Sequence, residues 1–181
     1  MTANAGETPS PSASREEKAF ALHILKDSVG DLGYAQEKSW PILKAGFREA
    51  TVLTLSVDDI ETFEWSSQTI TLSAAASHAF RETFKTRAPV PGDRLPNMYR
   101  APFVVTTSGI PQYGGIFLDR MSAMGISYPV IYLNEAKDGR LTLTVSPFQT
   151  ARPLEESSDR WRSVKLPEIR DVFAKAGKLR P

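Results

Sequence analysis

Hydrophobic and polar residues alternate over much of the chain beyond residue 52, and residues that favour turns separate the alternating segments. Such alternation is typical of β-strands with one buried face. The pair Asp138-Gly139 favours a tight hairpin because both residue types accept a positive φ. At Ser66-Ser67 the pattern fits either a hairpin or a bent strand. The six predicted strand segments are residues 60–64, 69–72, 103–107, 113–118, 129–134 and 141–146.

Apolar residues recur at helical spacing in other parts of the chain. Over residues 15–27, Phe20 and Ile24 are four apart, acidic residues come first and Lys26 comes last, which suits the helix dipole. Ser73 has the position of an N-cap for a helix over residues 74–85. Gly177 has the position of a C-terminal cap for a helix over residues 167–176. A further short helix is predicted over residues 39–47.

This order of elements predicts an α+β fold, because hairpins dominate and no regular βαβ alternation is present. We expect a mostly antiparallel sheet built from hairpins, with helices packed on one face. Residues 1–14 are predicted to be a disordered tail or tether, and residues 15–50 an N-terminal helical segment. Residues 51–181 are predicted to be a single α+β domain that ends in a short C-terminal helix.

Composition excludes several functional classes. The 181 residues include 22 Lys and Arg and 21 Asp and Glu, so the net charge of +1 gives no electrostatic basis for wrapping nucleic acid. No apolar run approaches the roughly 20 residues that a transmembrane helix needs. The chain has 0 Cys, which excludes disulfides, cysteine metal sites and thiol nucleophiles.

The start of the chain bears on its compartment. Residues 2–14 are small, polar and rich in Ser and Pro, as in tethers that follow secretory or lipoprotein signals. No apolar signal segment follows Met1. We expect a periplasmic or extracellular protein whose signal has been removed. The precursor of such a protein can carry a membrane tether. The alternative is a cytoplasmic protein with a loose N-terminus.

A search for catalytic and cofactor motifs finds no phosphate-binding glycine loop, zinc-protease helix, nucleophile elbow or calcium loop. His23 and His78 both fall on predicted helices and are interpreted as structural. Asp58-Asp59 is interpreted as a cap or turn before Ile60. Gly114-Gly115 is expected to mark a bulge or a close backbone approach within a strand. We assign no catalytic residue, no metal ligand and no cofactor.

The segment of residues 119–128 is the strongest candidate for a recognition surface, because a long loop on a rigid sheet often carries function. Arginine can grip a carboxylate or a carbonyl group, and methionine adapts to varied partners. The alternative is a packed connection that covers the edge of the sheet. The predicted binding residues are Arg120, Met121, Ser122, Met124 and Tyr128, together with Tyr113, Arg160 and Trp161.

Several short blocks, taken in their order, resemble a group of small uncharacterised bacterial proteins, many of them exported or lipid-anchored. The blocks are Asp59-Ile60, Phe63, Trp65, Thr69-Ile70-Thr71-Leu72, Phe103-Val104-Val105, Tyr113, Gly115, Phe117, Ser122, Pro129-Val130-Ile131, Asp159-Arg160 and Gly177-Lys178-Leu179. The resemblance covers roughly residues 57–179, and Phe63 stands where the group has Tyr. It implies an exported protein, but no site residue can be carried over because the group has no established activity.

The arrangement is also similar to the periplasmic base domain of the translocase subunit SecD. There too a strand, a helix and a Val-Val-x-x-x-Gly hairpin precede a strand like Pro129-Val130-Ile131. This likeness implies a topology only, because a shared fold does not supply a function.

Taken together, these observations favour a non-catalytic, extracytoplasmic binding or protein-interaction domain whose partner and oligomeric state the sequence does not give. One alternative is a hydrolase or transferase that uses Ser122 or His78 with a carboxylate from elsewhere in the fold. A second is an inhibitor or immunity-type protein that inserts the proline-rich loop of residues 87–102 into an enzyme. A third is a scaffold that docks through a sheet edge.

Overall fold

The computed structural model describes residues 18–26, 47–89, 95–119, 126, 128–148 and 159–181, with only the backbone of Arg160. It is a mixed α/β fold with one nine-stranded, mostly antiparallel sheet and few helices. The strands are β1 Phe20–Leu25, β2 Thr51–Ser56, β3 Ile60–Glu64, β4 Thr69–Leu72, β5 Pro102–Thr107, β6 Ile110–Leu118, β7 Val130–Glu135, β8 Leu141–Ser146 and β9 Leu179–Arg180. The helices are α1 Phe47–Ala50, α2 Ala74–Thr83 and α3 Pro167–Lys175.

The predicted hairpins are confirmed. β5 and β6 are joined by Ser108-Gly109, whose φ values of 46° and 74° suit a two-residue turn between twisted strands. Gly139, with φ 81°, lies in the turn between β7 and β8. The strands β3 and β4 form a hairpin around residues 65–68 rather than one bent strand. Asp59 forms the expected cap, since its Oδ2 accepts from the backbone nitrogen and the hydroxyl of Ser56 at 2.7 and 2.8 Å.

The two longer predicted helices are also confirmed. Ser73 caps α2 by accepting a hydrogen bond from the Ala76 nitrogen at 3.1 Å. Gly177 follows α3 with φ 69°, as expected for a residue that ends a helix in the left-handed region. Of the helix predicted over residues 39–47, only Phe47 is described, and it begins α1.

The predicted helix over residues 15–27 is wrong where the structure describes it, because Phe20–Leu25 is strand β1. This strand pairs with β2 on one side and with β5 on the other. Five of its six side chains are buried, and they lie on both faces of the strand. A strand buried on both faces has a continuous apolar run, which periodicity alone does not separate from a buried helix.

The strand order is β2-β1-β5-β6-β7-β8-β4-β3-β9, and the sheet curls strongly. At about 4.8 Å per strand, β2 and β3 lie about 34 Å apart in a flat sheet. Only Val57–Asp59, one turn of 3₁₀ helix, connects them. Phe173 of α3 also contacts both Phe20 of β1 and Phe63 of β3, at ring-centroid distances of 5.0 and 4.7 Å. The sheet therefore wraps around the helix that packs inside it.

The main apolar cluster fills the inside of this curve and includes Phe80 of α2 and Phe173 of α3. Phe47 of α1 instead packs with Leu25 and Val104 in a second cluster, so the prediction that the helices share one face is not confirmed. A third cluster is formed by Ile116, Leu118, Ile126 and Val130. Alternation along β1 places Leu25 on the opposite face from Ile24, which belongs to the main cluster.

Candidate functional site

A cleft lies over strands β2, β1 and β5, on the face of the sheet opposite the main cluster. It has a volume of about 420 Å³. Its floor comes from the sheet, whereas Arg48 of α1 and Gly109 of the β5–β6 turn stand beside it. The lining residues are Lys18, Ala21, His23, Arg48, Thr51, Val52, Leu53, Thr54, Thr106 and Gly109.

His23 lies at the centre of a row of polar side chains that crosses the three strands. Its Nε2 is 3.2 Å from the Thr106 hydroxyl oxygen, and its Nδ1 is 3.3 Å from that of Thr54. A neutral imidazole donates from one ring nitrogen and accepts at the other, so both nitrogens are satisfied. The register explains the row, since His23 is opposite Thr54 in β2 and two residues from Ala21, which is opposite Thr106 in β5.

The surroundings of His23 favour its neutral form. Burial, and to a smaller extent the nearby positive charge of Arg48, together lower the pKa of the imidazole from 6.5 to about 4. The ring of Phe47 lies against the imidazole edge to face, with centroids 5.0 Å apart. His23 is therefore a neutral donor and acceptor near pH 7 rather than a cation.

Two hydrogen bonds fix the position of α1 at the rim of the cleft. Arg48 Nη2 donates to the Gly109 carbonyl at 2.8 Å, which ties α1 to the β5–β6 turn. The Thr51 hydroxyl donates to the Phe47 carbonyl at 3.0 Å. The Arg48 guanidinium also lies 5.8 Å from the centroid of the Phe47 ring. These contacts hold the positive charge of Arg48 beside His23.

Sequence reasoning missed this cleft. The sequence pattern placed His23 on a helix instead of in the sheet, and β2 was not predicted. The three strands that form the floor are not consecutive, and 83 residues separate His23 from Thr106. One signal was available: His23 is the single polar residue in the otherwise apolar run Phe20–Leu25, and a buried polar side chain usually has hydrogen-bond partners.

The predicted recognition surface lies mostly outside the described residues, which exclude Arg120, Met121, Ser122, Met124 and the side chain of Arg160. Tyr113 and Trp161 pack against the main cluster, and burial raises the pKa of Tyr113 well above its usual value. Tyr128 packs in the third cluster. The surface as a whole stays a prediction, although these three described aromatic side chains belong to two different clusters.

The length of the segment after β6 has a physical reason. β6 and β7 are parallel neighbours, with Ile116 opposite Val130, and parallel strands cannot be joined by a tight turn. A second cleft of about 330 Å³ lies beside the end of β6. It includes Asp119, the first residue of the predicted recognition loop, together with Tyr99 and Glu135.

The enzyme alternative rested on Ser122 or His78. Ser122 lies outside the described residues, and His78 is exposed on α2, the predicted helix. Within the described ranges, no group of three or more His, Asp and Glu is placed to hold a metal ion. None of the helices in these ranges is long and apolar enough to cross a membrane.

Comparisons with protein-family models, with curated proteins and with solved structures find no match to this chain. The likenesses to the group of small bacterial proteins and to the SecD base domain therefore stay predictions.

Proposed function

We propose that the protein is a non-catalytic binding domain that takes a small ligand in the cleft around His23. The observation that carries the proposal is the convergence of polar side chains from four separate elements on one concave site of about 420 Å³. Small-molecule sites are usually concave, measure about 300–1,000 Å³ and hold a few convergent polar groups. The cleft has this size and this composition.

The chemistry of His23 supports binding rather than acid–base catalysis. A general base works best when its pKa lies near the working pH, and a pKa of about 4 makes the imidazole a weak base near pH 7. Its two hydrogen-bond partners are the hydroxyls of Thr54 and Thr106. In a serine-type triad, by contrast, a carboxylate orients the imidazole and stabilises its protonated form. No Asp or Glu is among the described residues that line the cleft.

We also propose that the protein binds its ligand outside the cytoplasm. The Ser- and Pro-rich composition of residues 2–14 supports this compartment. Fractionation of the native host, with an antibody against the folded domain, tests it. Recovery with the periplasmic or extracellular fraction is expected, and recovery with the cytosol contradicts this part of the proposal.

The binding proposal is tested by screening a library of small fragments against ¹⁵N-labelled full-length protein. Bound fragments are expected to shift the amide signals of His23, Thr54 and Thr106. Val52→Trp places a large ring at a lining position that is 41% exposed, and it is expected to abolish these shifts. Ile110→Trp is the matched control, because Ile110 is 64% exposed and does not line the cleft. Fragments that bind only elsewhere, or equally to Val52→Trp, contradict the proposal.

A further inference from the structure

The charges around the His23 cleft specify the kind of ligand. Lys18 and Arg48 both line the cleft, and both are exposed residues. The other described lining residues are neutral: three threonines, three aliphatic residues, one glycine and His23 in its neutral form. The described lining therefore carries positive charge only.

Resting on the proposed function, we propose that the cleft binds the anionic oxygen group of a small ligand, a carboxylate or a phosphate, through Arg48 and Lys18. The guanidinium presents several N–H donors in a planar fork that matches the oxygens of either group. The hydrogen bond from Arg48 Nη2 to the Gly109 carbonyl orients the guanidinium at the rim. Thr54 and Thr106 belong to the floor of the cleft, where their hydroxyls hold the imidazole of His23.

The lowered pKa of His23 agrees with a positive electrostatic potential in the cleft. Burial is the larger cause of the lowered pKa of His23, and the positive charge of Arg48 adds to it by opposing protonation of the imidazole. The positive potential that Arg48 produces at the imidazole disfavours a proton on His23 and favours an anion bound beside it. An anion in the cleft is therefore expected to raise the pKa of His23, which gives a readout separate from affinity.

The experiment is an NMR titration of full-length protein with sodium phosphate and, separately, with sodium acetate, each against sodium chloride at equal ionic strength. Phosphate, acetate or both are expected to shift the amides of His23 and Thr106 beyond the chloride effect and to raise the pKa of His23. Shifts with acetate alone assign a carboxylate, and shifts with phosphate alone assign a phosphate. The affinity is expected to fall with added sodium chloride, because the cleft is open to solvent.

Arg48→Gln is expected to weaken binding of the anion at least about tenfold, because it removes one charge-assisted hydrogen bond. Arg162→Gln is the matched control, because the Arg162 side chain is 85% exposed and pairs with Asp159 outside the cleft. Equal weakening by the two variants overturns the inference, as does the absence of any shift beyond chloride.

The inference and the proposed function fail in different ways. If neutral fragments bind in the cleft but neither anion does, the cleft is a binding site and the anion inference is wrong. If neither fragments nor anions bind there, both proposals are wrong.

Discussion

At the scale of single residues, the position of His23 depends on contacts rather than on local sequence. The imidazole is held between two threonine hydroxyls, against the Phe47 ring and near a positive charge. These neighbours come from three elements, α1, β2 and β5. The combination satisfies a polar side chain in a mostly apolar strand, and it keeps that side chain neutral.

His23 is expected to make stability depend on pH between about 6.5 and about 4. The folded protein lowers the pKa from 6.5 to about 4, so over this range the unfolded chain binds more protons and the free energy of unfolding falls as the pH is lowered. Above pH 6.5 the imidazole is neutral in both states. The slope stays below the one-proton limit of about 1.4 kcal/mol per pH unit, because the unfolded and folded states differ by less than one bound proton at every pH.

Urea unfolding of the wild type and of His23→Gln at pH 4.5, 5.5, 6.5 and 7.5 measures this effect, and His78→Gln is the control. His78 is an exposed histidine on α2 that does not line the cleft, so His78→Gln controls for the replacement of a histidine by glutamine. The wild type is expected to lose more stability than His23→Gln as the pH falls from 6.5 to 4.5. Parallel curves for these two proteins contradict the assignment.

Gly115 shows what sequence can predict at this scale. The adjacent glycines within a strand indicated a bulge or a close backbone approach. At Gly115 an added Cβ lies 1.8 Å from the Pro129 carbonyl oxygen and 2.7 Å from the Phe103 ring. The kind of constraint was predictable, and Phe103 lies opposite Gly115 in the β5–β6 hairpin. Pro129 was not predictable as a partner, because it precedes β7, whose parallel pairing with β6 the pattern does not give.

At the scale of elements, local signals predicted what local interactions determine. β8 was predicted with its observed bounds, because LTLTV alternates and the Asp-Gly turn precedes it. The cap at Ser73 and the end of α3 at Gly177 were also predicted from nearby residues. β1 was mistaken for a helix, and β2 and β9 were not predicted. These strands are defined by their neighbours in the sheet: β1 is buried between two strands, and the two residues of β9 pair only with β3.

Hydrogen bonds from two residues of α2 join this helix to the β7–β8 hairpin. Ser77 is 2% exposed, and its Oγ accepts a hydrogen bond from the Leu141 nitrogen at 3.0 Å. Arg81, one turn further along α2, donates to Glu135 and to the Gly139 carbonyl at 2.7 and 2.8 Å. The helix therefore satisfies polar groups at both ends of this hairpin turn.

Ser77→Ala is expected to lower the free energy of unfolding by about 1–3 kcal/mol, because it leaves the buried Leu141 N–H without its acceptor. Urea unfolding measures the loss, and faster hydrogen exchange at the Leu141 amide locates it. Ser66→Ala is the matched control, since the Ser66 hydroxyl bonds the Pro181 carbonyl at an exposed site. Equal losses in both variants, with unchanged exchange at Leu141, contradict this role for Ser77.

At the scale of the whole molecule, the curl of the sheet joins the candidate site to the core. β2 and β1 form part of the cleft floor on one face, and on the other face β1 contacts α3 through Phe20 and Phe173. Phe173 also contacts Phe63 of β3, near the opposite edge of the sheet. The segment that follows α3 pairs with β3, and the Lys178 ammonium donates to the Val57 carbonyl at 2.6 Å. α3 thus holds together strands that are distant in the order of the sheet.

Phe173→Ala is therefore expected to destabilise both ends of the sheet together, by about 3–5 kcal/mol, the usual cost of removing a buried phenylalanine side chain. Hydrogen exchange measured by NMR is expected to accelerate by similar factors in β1 and in β3. Asp171→Ala changes an exposed residue of the same helix and is expected to alter neither rate. If exchange accelerates in β3 and β9 while β1 keeps its protection, α3 stabilises only one edge, and the cleft floor folds independently of it. If both accelerate together, the geometry of the His23 cleft depends on a phenylalanine that does not line it.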